Sequence, residues 1–197
     1  MAVRELYLAR PGFLSDEDHR AVLDHALAQE AACTPSRVGA GDDPAVRQSL
    51  NINDMGPCRQ IIRDAVAPLV EEFAEAFGVT LGSKMCFDGS MNAHTDGAFY
   101  KPHVDMGGDS FHRTRVLSAV YYFNRTPAAF SGGELRMFRL DKPGEFVDVP
   151  AIDNQLVVFP SMIPHEVRPV SVPSGDYADA RFAFNLWVHK VPQEETA

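Results

Sequence analysis

His103 and Asp105, in Phe99-Tyr100-Lys101-Pro102-His103-Val104-Asp105, have side chains and spacing suited to a metal. Alternate residues of an extended strand face one side, so the two can reach a single ion. One histidine and one carboxylate hold a divalent metal weakly, so a third ligand is expected. His165 supplies it, in a turn between a strand ending Val157-Val158-Phe159 and another beginning Glu166-Val167. Two histidines and one carboxylate on one side of a metal leave the opposite coordination positions open. Further on, Arg181 precedes Phe182-Ala183-Phe184-Asn185-Leu186-Trp187, an apolar strand expected to be buried. A buried arginine requires an anion, and its planar fork suits a carboxylate. That carboxylate is either a protein glutamate or aspartate, or a bound dicarboxylate.

These residues need a scaffold, and the composition allows one. The chain has 197 residues, 45% apolar and 23% charged, as expected of one globular domain. Its net charge of -9 argues against a nucleic-acid surface. No apolar run is long enough for a membrane span, and the first residues carry no export signature. Cys33, Cys58 and Cys86 lack C-x-x-C spacing and read as reduced thiols, placing the protein in the cytoplasm.

A short strand is expected at Glu5–Ala9, then a helix opened by Ser15 and Asp18 as a capping box. A polar loop follows over about 34–44, and Val46–Asn51 reads either as solvated loop or as the mouth of a site. A second helix starts with Pro57 in its first turn, is kinked or split at Pro68 and ends at Gly78. Nine strands are expected after it: Val79–Leu81, Lys84–Asn92, Tyr100–Asp105, Val116–Asn124, Glu134–Leu140, Glu145–Val149, Gln155–Phe159, Glu166–Val170 and Ala180–Lys190. The pattern is mainly β with flanking helices. Metal ligands at both ends of a long segment suit a jelly roll, with a helical flank over about 13–78 and a core over about 79–190.

Five segments occur in order over the second half of the chain: Tyr100-x-Pro102-His103-x-Asp105; Arg115 through Asn124; Ser131-Gly132-Gly133-Glu134-Leu135; Pro164-His165-Glu166-Val167; and Arg181 through Trp187. Together they resemble the prolyl-hydroxylase-type Fe(II)/2-oxoglutarate dioxygenases. The resemblance implies a double-stranded β-helix (jelly roll). It also implies oxidative decarboxylation of 2-oxoglutarate to succinate and CO2, coupled to hydroxylation of a C–H bond. The cofactor set would be Fe(II), 2-oxoglutarate and O2, with ascorbate as a candidate accessory reductant. His103, Asp105 and His165 would be the iron ligands, and Arg181 and Tyr122 would hold the distal carboxylate of 2-oxoglutarate. Asn185 would lie near its metal-side end and Trp187 would line the pocket. The carboxylate at Asp105 argues for hydroxylation, because related halogenases leave that position for halide.

The chain departs from the family pattern in places. His94 stands where many relatives carry the first tyrosine of Tyr-x-x-Gly-x-x-Tyr-x-Pro-His, and Ala183 replaces a serine. A longer interval from His165 to Arg181, containing Val172–Tyr177, makes Arg168 a rival anion partner. The retained spacing between Arg181 and Trp187 favours Arg181. The expected substrate is a prolyl residue or an amino-acid-like molecule, with Arg47, Asp54, His94, Tyr100 and Arg168 as candidate contacts. The alternatives are a metal- or ligand-binding jelly roll without catalysis, and a structural cluster in which Arg181 pairs with a protein acid.

Overall fold

The computed structural model describes residues 5–36 and 44–191. Its strands are β1 (Leu8–Pro11), β2 (Thr34–Pro35), β3 (Arg47–Gln48), β4 (Leu50–Ile52), β5 (Lys84–His94), β6 (Phe99–His103) and β7 (Arg115–Phe123). They continue as β8 (Ser131–Gly132), β9 (Leu135–Phe138), β10 (Phe146–Val149), β11 (Gln155–Pro160), β12 (His165–Val167), β13 (Val170–Ser171) and β14 (Arg181–Val191). The major sheet has the order β1-β11-β7-β14-β5-β4-β2 and the minor sheet the order β10-β9-β12-β6-β3. Strands far apart in the chain become neighbours, as in a jelly roll.

β14, as long as β5 at 11 residues, has both of its faces covered. In β14 the alternation sends Phe182, Phe184, Leu186 and Val188 outward, where they pack with Tyr121, Phe123 and Met91 against the helices. Arg181, Ala183, Asn185 and Trp187 have the opposite parity, and Ala183 packs between the sheets with Val120, Tyr122, Leu135 and Phe159. Paired with β5, the strand sets Arg181 opposite His94 and Asn185 opposite Ser90. Paired with β7, it sets Ala183 opposite Tyr122 and Trp187 opposite Ser118.

The helical layer covers the outer face with α1 (Asp16–Leu27), α2 (Cys58–Val66) and α3 (Val70–Phe77). Ser15 caps α1, its Oγ accepting from Asp18 N at 3.2 Å. Pro57 occupies the cap position of α2 rather than a place in its first turn. Pro68 lies in a single 3-10 turn that divides α2 from α3, as its missing N–H demands. Gly78 ends α3 with φ 66°.

Several expectations are corrected. Val79–Leu81 is not a strand: Val79 N donates to Ala74 O at 2.8 Å, a helix-terminating bond, and both side chains pack on the helical core. The opening strand lies at Leu8–Pro11, where it pairs with β11. Glu166–Val170 is broken into β12 and β13 around Pro169, which has no N–H to donate. Within Val46–Asn51, β3 pairs with β6 and β4 pairs with β5, so most of this stretch belongs to the sheets. Of the loop before it, residues 37–43 lie outside the described residues.

Asn154 joins the helical layer to the major sheet. Its Oδ1 accepts from Leu14 N and Tyr121 Oη, each at 2.9 Å, and its Nδ2 donates to Leu14 O at 3.0 Å. Its backbone has φ 51°, which asparagine tolerates better than most residues. Asn154→Ala should therefore cost about 2–4 kcal/mol in urea unfolding, through lost hydrogen bonds and left-handed strain. Asn154→Gly should recover only the strain component.

Candidate metal and cosubstrate site

His103 and His165 meet because β6 and β12 pair in a register that sets them directly opposite each other. Their ring centroids are 4.2 Å apart. Each ring is held by a backbone carbonyl two residues earlier in the chain. His103 Nδ1 lies 2.8 Å from Lys101 O, and His165 Nδ1 lies 2.9 Å from Ile163 O. An Nδ1–H that donates there leaves the Nε2 lone pair for a metal.

Asp105 arrives differently from the expectation. β6 ends at His103, and Asp105 sits in the following bend, not on the strand. Its N and that of Met106 both donate to Ser161 O, at 3.1 and 3.0 Å. Its Oδ1 is 3.8 Å from His103 Nε2 and its Oδ2 is 3.6 Å from His165 Nε2. One ligand atom from each residue falls within 4.8 Å of the others, a cluster that could hold one ion. Ser118 Oγ donates to Asp105 Oδ2 at 2.7 Å and lies 2.9 Å from Ser161 Oγ. Burial opposes the Asp105 charge. His165, His103 and the Ser118 hydroxyl nevertheless hold its carboxyl below the usual range. Burial and the neighbouring His165 push His103 down to about 3.

Arg181 is 2% exposed, and no acidic side chain pairs with it among the described residues. Its Cζ lies 4.7 Å from the centre of the Tyr122 ring, and Nη1 donates to His94 Nδ1 at 3.3 Å. Arg181 Nε and Tyr122 Oη are buried without a hydrogen-bond partner. Such orphaned donors are costly, and a carboxylate would satisfy both. Room for the arginine comes from Gly133, where a Cβ would fall 2.7 Å from Arg181 Cδ. A cavity of about 50 Å³ reaches from Arg181, Tyr122 and His94 to His103, Asp105 and His165. An open cleft of about 1010 Å³ shares Arg47, Ser90, Tyr100, His103, Asp105 and Trp187 with it.

The structure thus brings together His103, Asp105, His165, Arg181, Tyr122, Asn185, Trp187, His94, Tyr100 and Arg47 around the inner cavity. It leaves out Arg168, which pairs with Glu166 at 3.0 Å, and Asp54, whose carboxylate accepts from Gly56 N at 2.8 Å. Sequence reasoning missed the polar chain Asn185–Asn92–Ser36–Ser49–Arg47, linked by bonds of 2.9, 3.2, 2.8 and 3.0 Å. It also missed Ser118 and Ser161. Isolated serines and asparagines on separate strands and turns carry no spacing signal.

A jelly roll with two histidines and a carboxylate beside a buried, acid-free arginine has the form of a non-haem Fe(II) oxygenase. The 2OG-Fe(II) oxygenase superfamily matches residues 89–189, and the chain belongs to that superfamily. An uncharacterized PKHD-type hydroxylase of Synechocystis sp. is 36% identical over 107 residues, 51% of this chain. The matched region is 35% of that relative's length. The crystal structure of a Pseudomonas putida prolyl-4-hydroxylase superposes with TM-score 0.69 at 26% identity, covering 95% of this chain and 94% of the other. A Trichoplax adhaerens prolyl hydroxylase, solved with a hypoxia inducible factor peptide fragment, gives TM-score 0.72 at 17% identity, covering 94% and 84%. The SnoN epimerase of nogalamycin biosynthesis shares the fold at TM-score 0.62 and 15% identity, covering 95% and 79%.

Burial and the adjacent Arg181 and Arg47 hold His94 well below the ordinary histidine value of 6.5. The folded protein therefore keeps His94 neutral, whereas the unfolded chain protonates it as pH falls through 6.5. The unfolded state then binds more protons, so this contribution to stability is full above that value and lost below it. Urea midpoints measured from pH 7.5 to 5 should fall with pH, and His94→Gln should flatten the slope.

Proposed function

We propose that the chain is a single-domain, cytoplasmic hydroxylase, dependent on Fe(II) and 2-oxoglutarate, acting on a prolyl residue or an amino-acid-like substrate. The observation that carries this reading is the pair of orphaned buried donors, Arg181 Nε and Tyr122 Oη, at the far end of the metal-ligand cavity. A binding module for metal alone has no use for them. The Pseudomonas putida prolyl-4-hydroxylase and the peptide-bound Trichoplax adhaerens enzyme support a prolyl substrate.

In this reading His103, Asp105 and His165 hold Fe(II), an N,N,O donor set suited to that ion. Arg181 and Tyr122 receive the distal carboxylate of 2-oxoglutarate. Bound there, Fe(II) and 2-oxoglutarate with O2 would supply the oxidising power for hydroxylation of a substrate C–H bond, with succinate and CO2 as co-products. The protein's own work is placement. The Lys101 and Ile163 carbonyls set the histidine tautomers, and the two serines and the Ser161 carbonyl fix Asp105. Asn185 lines the same cavity, and its amide donates to Asn92 Oδ1 at 2.9 Å, which fixes its orientation there. Phe159, packed edge-on against His165 at 4.8 Å, helps keep that wall dry.

Anaerobic titration with Fe(II) and 2-oxoglutarate should give a weak visible charge-transfer band that requires both components, and aerobic turnover should release succinate. His103→Ala and Asp105→Ala should lose the band with the fold retained by circular dichroism. Arg181→Ala should keep the metal but weaken 2-oxoglutarate roughly 10- to 100-fold, as expected for losing charged hydrogen bonds worth about 1.5–3 kcal/mol. Arg168→Ala should bind normally. A reversed result for the two arginines would move the cosubstrate away from Arg181. Ser118→Ala should lower metal affinity by about 10-fold or more, since it frees an oxygen of a ligating carboxylate.

A further inference from the structure

Resting on the oxygenase reading, we propose that Arg47 is a specificity-determining residue that receives a carboxylate of the substrate being oxidised. Two arginines of the site have no acidic partner within ion-pair distance among the described residues, Arg181 and Arg47. The first is matched to the cosubstrate. The second lines both the inner cavity and the open cleft, where a substrate would enter.

The surroundings of Arg47 leave its charge available. Its Nε donates to Ser49 Oγ at 3.0 Å, at the end of the polar chain running from Asn185 through Asn92 and Ser36. That tether uses one nitrogen and orients the planar fork, and its two terminal nitrogens have no hydrogen-bond acceptor among the described residues. Its Cζ lies 4.8 Å from the centre of the Tyr100 ring, and Tyr100 stacks on His103 at 3.6 Å. One aromatic ring therefore separates the guanidinium from a metal-ligand histidine. A carboxylate bound to Arg47 would sit in the cleft that Arg47 shares with Tyr100, His103 and Asp105.

The other charges of the cleft are already committed. Arg115 bonds to Asp88 Oδ2 at 2.5 Å and lies flat on Trp187, with its Cζ 3.8 Å from the ring centre. Asp109 accepts from His112 N and Phe111 N, and Asp105 is a metal ligand in the proposed site. In a chain of net charge -9, an arginine held this way beside the reaction site is not part of a general basic surface. Its chemistry selects a carboxylate, carried either by a free amino acid or by an acidic side chain of a prolyl peptide.

The experiment compares the wild type with Arg47→Gln in two assays. Arg47→Gln should form the Fe(II)/2-oxoglutarate band with unchanged affinity. Succinate release is then measured with matched probes: free L-amino acids against their carboxamides, and prolyl peptides containing Asp or Glu against their Asn or Gln forms. Fluorescence of Trp187, the single tryptophan, reports binding of the same probes to the anaerobic Fe(II)/2-oxoglutarate form. The proposal expects a response to the carboxylate member of a pair and at least a tenfold weaker one to its amide. It also expects KM at least tenfold higher in Arg47→Gln with little change in kcat. Response to the free amino acids or to the acidic peptides identifies the source of the carboxylate. Equal response to both members of each pair, or silence towards every carboxylate from an enzyme that forms the band, overturns the proposal. Loss of 2-oxoglutarate affinity in Arg47→Gln makes Arg47 a cosubstrate contact and also overturns it. Absence of the band in the wild type refutes the oxygenase reading itself, and this proposal with it.

Discussion

A guanidinium enclosed between two β-sheets, with no carboxylate paired to it among the described residues, is the constraint around which this structure is built. Burial disfavours the charge of Arg181, and its Nε and the facing Tyr122 hydroxyl are left unsatisfied. The neighbourhood accommodates this in two ways. Gly133, at φ +72°, leaves room that a Cβ would occupy. His94 stays neutral and accepts from the guanidinium, since a second cation there would raise the cost further. The rest of the sheet holds this arrangement in place, with Phe182 and Phe184 anchoring the opposite face of β14 in the helix-covered core. In the proposed function, the ion pair that a purely structural arginine would make internally is left for an external anion.

The metal cluster follows a different logic, in which donors are aimed rather than left vacant. Each histidine has its Nδ1 directed at a carbonyl two residues earlier, and the carboxylate is gripped by a serine and anchored by two backbone N–H groups on Ser161 O. Ser161 follows β11 and Ser118 lies in β7, so the strands beneath the site also set the carboxylate's orientation. Ligand geometry is thus fixed before any ion arrives, and little reorganisation remains to be done on binding.

Shared architecture does not settle the reaction's target. A prolyl hydroxylase bound to a peptide and an epimerase of an antibiotic pathway both superpose on this chain. Function depends on the site that a fold carries, here the cleft beside the His103, Asp105 and His165 cluster. Here that cleft is lined by β2, β3 and β4 residues, which lie outside the segment matching the superfamily. Arg47, the polar chain that holds it and Tyr100 are, in the inference drawn above, the residues that set this protein's selectivity.

Local pattern made much of this legible. Alternation marked β14 and β7, proline and glycine marked the division and end of the helices, and the order of His103, Asp105, His165 and Arg181 carried the family resemblance. Those signals are short-range, set by side-chain parity and by residues with special backbone preferences. Parity over-reached at Asp105, which leaves the strand to bond Ser161 O, and at Val79–Leu81, whose backbone completes a helix cap. Only the tertiary structure shows what surrounds Arg168 and Arg181: Glu166 beside the first, a cavity beside the second. Only the folded sheets joined Asn185 to Arg47 through Asn92, Ser36 and Ser49. Hydrogen bonds between residues on separate strands depend on long-range register, which no local spacing encodes.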